Sequence, residues 1–310
     1  MRHFLDINQI SKPVLRSIIN EAKEIKERRK GQRKGSRDQK SSLDGCVAGL
    51  IFEKPSTRTR ISIDVGIRQM GGQSMVLSIL DLQLSNGENI SDTAKVLSSY
   101  LDLVMIRTFS EAMMLELASY SSIPVINGLT DCSHPCQVMA DVLTFEELRG
   151  GIKGKTVVWL GDGNNVCKSY IHAASQFGFT LKVASPKDFE PDPKAIKWAN
   201  QFGDCVQVIS DPNEAVKNAD LVVTDTYTSM HDDKLNAKER VEILSSYQVN
   251  SELMNRASKE AIFLHCLPAH RNVEVTSQVI DGPQAAVFQA AENRLHVQKS
   301  IMKWCIEGSL

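Results

Sequence analysis

Seven consecutive residues, KPSTRTR from Lys54 to Arg60, place three hydroxyl groups and three cationic side chains between a strand-like and a helix-like segment. A helix N-terminus carries unpaired backbone N–H groups and a partial positive charge. The hydroxyls add donors, and the guanidinium of Arg58 or Arg60 can hold two phosphoryl oxygens at once. The stretch therefore predicts a site for a doubly charged anion. The alternative is a Ser56 helix cap followed by exposed arginines.

The motif HPCQ, His134 to Gln137, follows a polar loop and opens a helix. Pro135 keeps the preceding histidine in extended backbone, and a neutral imidazole can donate one hydrogen bond to a polarised carbonyl oxygen. A single histidine is more often an ordinary core or surface residue, so its role stays open here. Cys132 and Cys136 flank it, but no second ligand pair has zinc-site spacing, and we expect no metal.

Two further motifs end apolar strands. LHCLPAHR offers Cys266 as a nucleophile or as a small buried residue. A nucleophilic cysteine needs a base, and strand alternation predicts His265 on the opposite face of the strand from Cys266. This favours the interpretation of Cys266 as a small buried residue. TDTYTSMHDD offers Asp225 as a receptor for a cationic amine or as part of a solvated turn.

The sequence GDGNN follows another strand, as a dinucleotide fingerprint would. Val166 occupies the position of the third glycine, and the next strand ends without an acidic residue, so nicotinamide binding is disfavoured. Asn165 remains an amide well placed for a polar substrate.

Strands alternate with helices along the whole chain, which predicts an α/β fold of two domains, each a parallel sheet flanked by helices and joined by interdomain helices. We predict a first domain at 1–150, a second at 151–283, and a C-terminal helix at 284–310 that returns to the first. Ligands of open α/β sheets bind at the carboxyl ends of strands, where the unusual residues fall, so we expect one cleft between the sheets.

Composition excludes several classes of protein. The net charge of -1 gives no overall field for nucleic acid, and we interpret the cationic stretch at 26–40 as a solvated helix end and loop. No apolar run approaches the roughly 18 residues of a membrane helix. Seven irregularly spaced cysteines and no visible targeting segment predict a cytoplasmic protein with reduced thiols.

STRTR, HPCQ and HCLPAHR, in this order and at these intervals, resemble the signature motifs of the aspartate/ornithine carbamoyltransferases, and the ornithine branch is the closer match. GDGNN and the stretch Asp225–Met230 resemble its ornithine-side motifs, and MADVLTFEE resembles its interdomain helix. The resemblance covers essentially the whole chain. It implies transfer of the carbamoyl group of carbamoyl phosphate to the δ-amine of ornithine, giving citrulline and phosphate without a cofactor.

The resemblance also implies roles for individual residues. Arg107, His134 and Cys266 would be catalytic, with Arg107 bridging phosphate and carbonyl, His134 donating to the carbonyl oxygen, and Cys266 near the δ-nitrogen. Ornithine would be bound by Asn165, Asp225, Ser229 and Met230. Carbamoyl phosphate would be bound by Ser56, Thr57, Arg58, Thr59, Gln83, Arg107, His134, Gln137, Cys266, Leu267 and Arg294.

Members of the family are commonly trimers, so the resemblance implies a homotrimer in which the loop with Gln83 completes a neighbouring site. The chain departs from the family at His231, where a glycine is usual. Since glycine reaches positive φ more freely, we expect His231→Gly to alter ornithine kinetics and leave carbamoyl phosphate affinity nearly unchanged. An acceptor such as putrescine or an acylated ornithine, or a non-catalytic anion-binding protein, stays an alternative.

Overall fold

The computed structural model describes residues 1–83, 87–228, 234–308 and 310, and the side chains of all of these except 234–236. The chain divides into two compact units. Unit 1 contains Met1–Leu143 and Glu292–Leu310, and unit 2 contains Thr144–Ala291. Ser229, Met230 and His231 lie outside the described residues.

Unit 1 is built on a four-stranded parallel sheet with the strand order β2-β1-β3-β4. Strand β1 is almost wholly buried and correspondingly reads as a continuous apolar run, as expected for a parallel strand covered on both faces. The elements of unit 1 are α1 (Lys12–Arg28), β1 (Val47–Phe52), α2 (Thr57–Gln69), β2 (Gln73–Ser78), α3 (Ile90–Tyr100), β3 (Leu103–Arg107), α4 (Glu111–Tyr120) and β4 (Val125–Leu129).

The strand order of unit 1 reverses between β1 and β3. In open parallel sheets this switch point opens a crevice at the carboxyl ends of the strands. The predicted anion motif follows β1, and Arg107 is the last residue of β3. The topology therefore directs both toward the same edge of the sheet.

Unit 2 holds a five-stranded parallel sheet with the strand order β7-β6-β5-β8-β9. Its switch point lies between β5 and β8, where GDGNN and Asp225 follow the two strands. The elements are β5 (Thr156–Leu160), α6 (Asn165–Phe177), β6 (Thr180–Ala184), α7 (Pro193–Asn200), β7 (Val206–Ile209), α8 (Pro212–Val216), β8 (Leu221–Thr224), α9 (Lys234–Leu244), α10 (Ser251–Arg256), β9 (Ile262–His265) and α11 (Ser277–Ile280).

Two helices have residues in both units: α5 (Pro135–Arg149) and α12 (Val287–Glu307). The predicted fold class, two parallel sheets flanked by helices, is confirmed. All seven cysteines are free thiols. Among the described residues, no helix is both long and apolar enough to cross a bilayer.

The glycines of GDGNN are explained by packing within unit 2. Gly161 has φ +111°, and a Cβ at this position would lie 2.8 Å from the Tyr227 ring. A Cβ at Gly163 would lie 2.4 Å from the backbone of Pro191. Close approach of the chain to itself therefore requires both glycines, and no dinucleotide is needed to account for them.

Candidate active site

The N-terminus of α2 is capped by Ser56. Its backbone is extended, with φ -158°, and its hydroxyl accepts a hydrogen bond from the Thr59 N–H at 3.3 Å. Thr57 is exposed and Arg58 is half-buried. The cap and the anion site proposed from the sequence are thus compatible, because one hydroxyl satisfies one amide and leaves the other donors of the first turn near the helix end.

Two guanidinium groups converge on the hydroxyl of Thr59, which is fully buried. Arg107 donates to Thr59 Oγ1 from Nη1 at 3.4 Å, and Arg294 donates to the same oxygen from Nη2. Arg294 belongs to α12 and is only 2% exposed. The cost of burying cations falls when an anion joins them, so this convergence favours a negatively charged ligand.

His134 is buried beside these cations. Burial lowers its pKa well below the ordinary value, and the positive charges of Arg294, Arg107 and Arg58 lower it further. The imidazole is therefore neutral near pH 7 and can donate a single hydrogen bond. Helix α5 begins at the next residue, Pro135, which fixes the direction of the chain.

Gln137 lies in the first turn of α5 and is 1% exposed. Its Nε2 donates to Asp141 Oδ1 at 3.0 Å. Its Oε1 is buried and has no hydrogen-bond partner among the described residues. A buried amide oxygen of this kind is a ready acceptor for a ligand N–H.

Gln83 is exposed and follows the 3-10 helix Ile79–Asp81. Its carbonyl accepts from the Glu88 N–H at 3.1 Å. Five of the predicted residues of unit 1 lie close together in the structure: Ser56, Thr59, Arg107, His134 and Arg294. Gln83, exposed after the 3-10 helix, is not among these five.

In unit 2, Asp225 accepts two hydrogen bonds at the end of β8 and is 8% exposed. The Cys266 thiol donates to Oδ1 at 2.8 Å, and the Asn164 amide donates to Oδ2 at 2.9 Å. Sequence reasoning proposed Asn165 and missed Asn164. The side chain of Asn164 also caps α6 by accepting from the N–H groups of Val166 and Cys167.

The predicted separation of His265 from Cys266 is wrong. Ligand atoms of His265, Cys266 and Asp225 lie within 4.8 Å of one another, because β9 ends at His265 and strand alternation stops there. His265 Nδ1 accepts from the Leu267 N–H at 2.8 Å, and its Nε2 lies 3.3 Å from Glu274 Oε1. Both ring nitrogens already face protein groups, which argues against His265 as a metal ligand.

Leu267 has φ 56°, a left-handed conformation that is unusual for a leucine, and its peptide bond to Pro268 is cis. The bond from its N–H to His265 fixes this turn. The backbone carbonyls of Cys266 and Leu267 are thereby given defined directions at the end of β9.

Two family profiles match almost the entire chain. The carbamoyl-P binding domain of aspartate/ornithine carbamoyltransferase matches residues 2–147, and the Asp/Orn binding domain of the same family matches residues 153–305. The chain belongs to the aspartate/ornithine carbamoyltransferase family. The resemblance deduced from its motifs is confirmed.

Similar members of this carbamoyltransferase family are named ornithine carbamoyltransferase. The protein from Roseobacter denitrificans is 56% identical over 99% of both chains, and that from Ruegeria pomeroyi is 55% identical over the same shares. The solved ornithine carbamoyltransferase from Pyrococcus furiosus is 42% identical with a TM-score of 0.93, over 100% of this chain and 98% of that chain. The one from Burkholderia thailandensis is 40% identical with a TM-score of 0.89, over the whole of both chains.

Proposed function

We propose that this chain transfers the carbamoyl group of carbamoyl phosphate to the δ-amine of L-ornithine, giving L-citrulline and phosphate. The observation that carries the proposal is the convergence of Arg107 and Arg294 on Thr59 beside a neutral His134. Full-length relatives named ornithine carbamoyltransferase support the same reaction.

Unit 1 supplies the carbamoyl phosphate site. Ser56, Thr57, Arg58 and Thr59 hold the phosphate at the N-terminus of α2, and Arg107 and Arg294 neutralise its charge. Gln137 Oε1, the buried acceptor, receives the carbamoyl NH2 group. Gln83 of a neighbouring subunit also binds carbamoyl phosphate in this proposal. The backbone carbonyls of Cys266 and Leu267 are the remaining groups proposed to bind it.

Unit 2 supplies the ornithine site. Asn165 and Asp225 bind the amino-acid groups together with Ser229 and Met230, which lie outside the described residues. The Cys266 thiol, held by Asp225, lies near the δ-nitrogen as a positioning group or a proton acceptor. Free alkyl amines have a pKa of about 10.4, and burial favours the neutral form that reacts.

The δ-nitrogen attacks the carbonyl carbon and the carbonyl oxygen becomes an oxyanion. His134 and Thr59 donate to that oxygen, where charge develops most strongly in the transition state. The carbon–oxygen bond to phosphate then breaks, and the amine proton leaves with phosphate, or passes to Cys266 Sγ while the thiol proton moves to the Asp225 carboxylate. The two substrates supply every atom of citrulline and phosphate, so the overall reaction needs no further co-substrate.

A colorimetric ureido assay tests the function directly. Carbamoyl phosphate is supplied with ornithine, putrescine, acetylornithine or aspartate in parallel, and we expect product with ornithine alone. Ureido product from putrescine or acetylornithine at a higher kcat/KM would instead identify a different amine acceptor within the family.

Arg58→Ala tests the phosphate site. Removing a charge-assisted, bidentate donor should lower kcat/KM for carbamoyl phosphate by roughly 10² or more, with an unchanged circular dichroism spectrum. Arg33→Ala, on an exposed loop of the same unit, is the matched control. Near-normal turnover of the Arg58 variant would contradict the assignment.

We also propose a homotrimer in the cytoplasm that serves arginine biosynthesis. Exposed apolar side chains on α2, edge strand β2 and the following 3-10 helix support a subunit contact: Ile61, Met75, Val76 and Leu80. Ile61 and Val76 line one cavity of about 260 Å³. Exposed apolar side chains can mark association surfaces, and Leu80 lies three residues before Gln83.

Mixing subunits tests whether Gln83 acts across the contact. Arg58→Ala and Gln83→Ala chains are each expected to be weakly active, and hybrids of the two should regain activity because some sites receive both intact residues. Sedimentation should give a trimer for the wild type and a smaller species for Leu80→Asp. Hybrids with no regained activity would place Gln83 in its own subunit's site.

A further inference from the structure

Arg107 occupies an irregular position at the end of β3. The pairing register between β3 and β4 shifts between Ile106 and Arg107, so that Arg107 pairs with Leu129. Gly128 of β4 is the extra residue at this shift, and such irregularities are frequent beside active sites. Arg107 itself pairs with Phe52 of β1 and is the last residue of β3, so further contacts must hold the turn that follows it.

Glu53, the residue after β1, provides these contacts. Its N–H donates to the Arg107 carbonyl at 2.8 Å. Its carboxylate oxygen Oε2 accepts from the Phe109 N–H at 2.8 Å and from the Thr108 hydroxyl. One residue thus holds the backbone at Arg107 and Phe109 and the side chain of Thr108 between them.

The same turn is bound on its other side to the loop after β4. Thr108 N–H donates to the Leu129 carbonyl at 3.0 Å, and Asp131 N–H donates to the Phe109 carbonyl at 3.0 Å. Lys54 pairs with Asp131 and places its ammonium 3.7 Å from the centre of the Phe109 ring. The loops that carry the anion motif, Arg107 and His134 are joined by one network.

We propose that Glu53 is a positioning residue for carbamoyl transfer, which holds the Arg107 turn so that the guanidinium lies at Thr59. The inference rests on the function proposed above. Glu53 acts through Arg107 because its Oε2 already accepts two donors from the turn. Hydrogen bonds to a carboxylate are roughly twice as strong as those between neutral groups, which suits an anion for this task.

The first experiment separates effects on the two substrates. In Glu53→Ala we expect kcat/KM for carbamoyl phosphate to fall by about 10-fold to 10²-fold, the range that a misplaced catalytic group produces, with an unchanged KM for ornithine. Glu53→Gln should recover most of the loss, because its amide oxygen still accepts. Glu116→Ala, an exposed glutamate on α4, is the matched control.

The second experiment asks whether Glu53 acts through Arg107. Binding of phosphonoacetamide, a stable mimic of carbamoyl phosphate, is measured by calorimetry in wild-type and Arg107→Ala backgrounds, each with and without Glu53→Ala. We expect Glu53→Ala to weaken binding in the wild-type background and to have no further effect without Arg107. If Glu53→Ala does not fold, Thr108→Val removes one of the two side-chain contacts and enters the same cycle.

Equal losses in both backgrounds would show a general structural role and overturn the proposal, as would normal carbamoyl phosphate kinetics in Glu53→Ala. Failure of the proposed function gives a different result, since the wild type would then form no citrulline.

Discussion

At the scale of single residues, burial among cations determines the chemical state of His134. Desolvation disfavours the protonated imidazole, and three guanidinium groups disfavour it further, so the pKa is lowered well below 6.5. A neutral imidazole can donate one hydrogen bond to a carbonyl oxygen. Because it carries no positive charge, it does not compete with the arginines for the phosphate anion. The sequence motif HPCQ indicates where the histidine lies, and only its surroundings explain its protonation state.

The lowered pKa of His134 has a measurable effect on stability. The unfolded chain binds a proton on this residue as pH falls through about 6.5, while the folded chain does not. The wild type should therefore lose unfolding free energy below pH 6.5, by at most about 1.4 kcal/mol per pH unit from this group. His134→Gln should lack this component in urea unfolding at pH 5–8, and parallel curves for the two proteins would contradict it.

At the scale of elements, each sheet brings its polar residues together where the strand order reverses. In unit 2, GDGNN follows β5 and Asp225 follows β8, the two strands at the switch point. Asn164 links them, because it caps α6 and donates to Asp225. The end of one helix is therefore coupled to the orientation of the carboxylate proposed to bind ornithine.

The two tasks of Asn164 can be separated by substitution. Asn164→Ser keeps a hydroxyl oxygen for the cap and should retain most stability, whereas Asn164→Ala should lower the unfolding free energy by about 1 kcal/mol. Both remove the amide donor to Asp225, so both should raise KM for ornithine and leave KM for carbamoyl phosphate unchanged. Normal ornithine kinetics in the Ser variant would show that Asp225 is oriented without the Asn164 amide.

At the scale of the whole molecule, the last part of α12 completes unit 1 although it is distant in sequence. Lys299 is fully buried and contacts Asp38 Oδ2 at 2.6 Å and Gln69 Oε1 at 3.0 Å. Ser300 and Lys303 bond to α1, and Arg294 reaches Thr59. The same helix therefore fastens the unit and supplies one of the two guanidiniums on the Thr59 hydroxyl.

Lys299 should give the molecule a stability that depends on alkaline pH. Burial lowers its pKa from 10.5 to about 8, against the opposing effect of Asp38. Between these values the unfolded chain holds a proton that the folded chain has released, so the contribution of Lys299 to the unfolding free energy should rise as pH increases from about 8 to 10.5. Buried thiols with raised pKa values act in the opposite direction at the upper end of this range in both proteins. The wild type should therefore gain stability relative to Lys299→Met in thermal unfolding from about pH 7.5 to 10.5, and a difference independent of pH would contradict the prediction.

The sequence by itself determined the family, the α/β class and the motifs at the ends of β1, β5, β8 and β9, because these depend on local pattern and residue type. It did not reveal Asn164, Glu53 or Glu274, whose contacts depend on where other loops end. The convergence of Arg107 and Arg294 on Thr59, the neutral state of His134 and the placement of His265 near Cys266 were decided by tertiary structure alone. The burial of a side chain and the charges around it depend on residues that are up to 235 positions apart in the sequence. A local sequence pattern therefore cannot predict them.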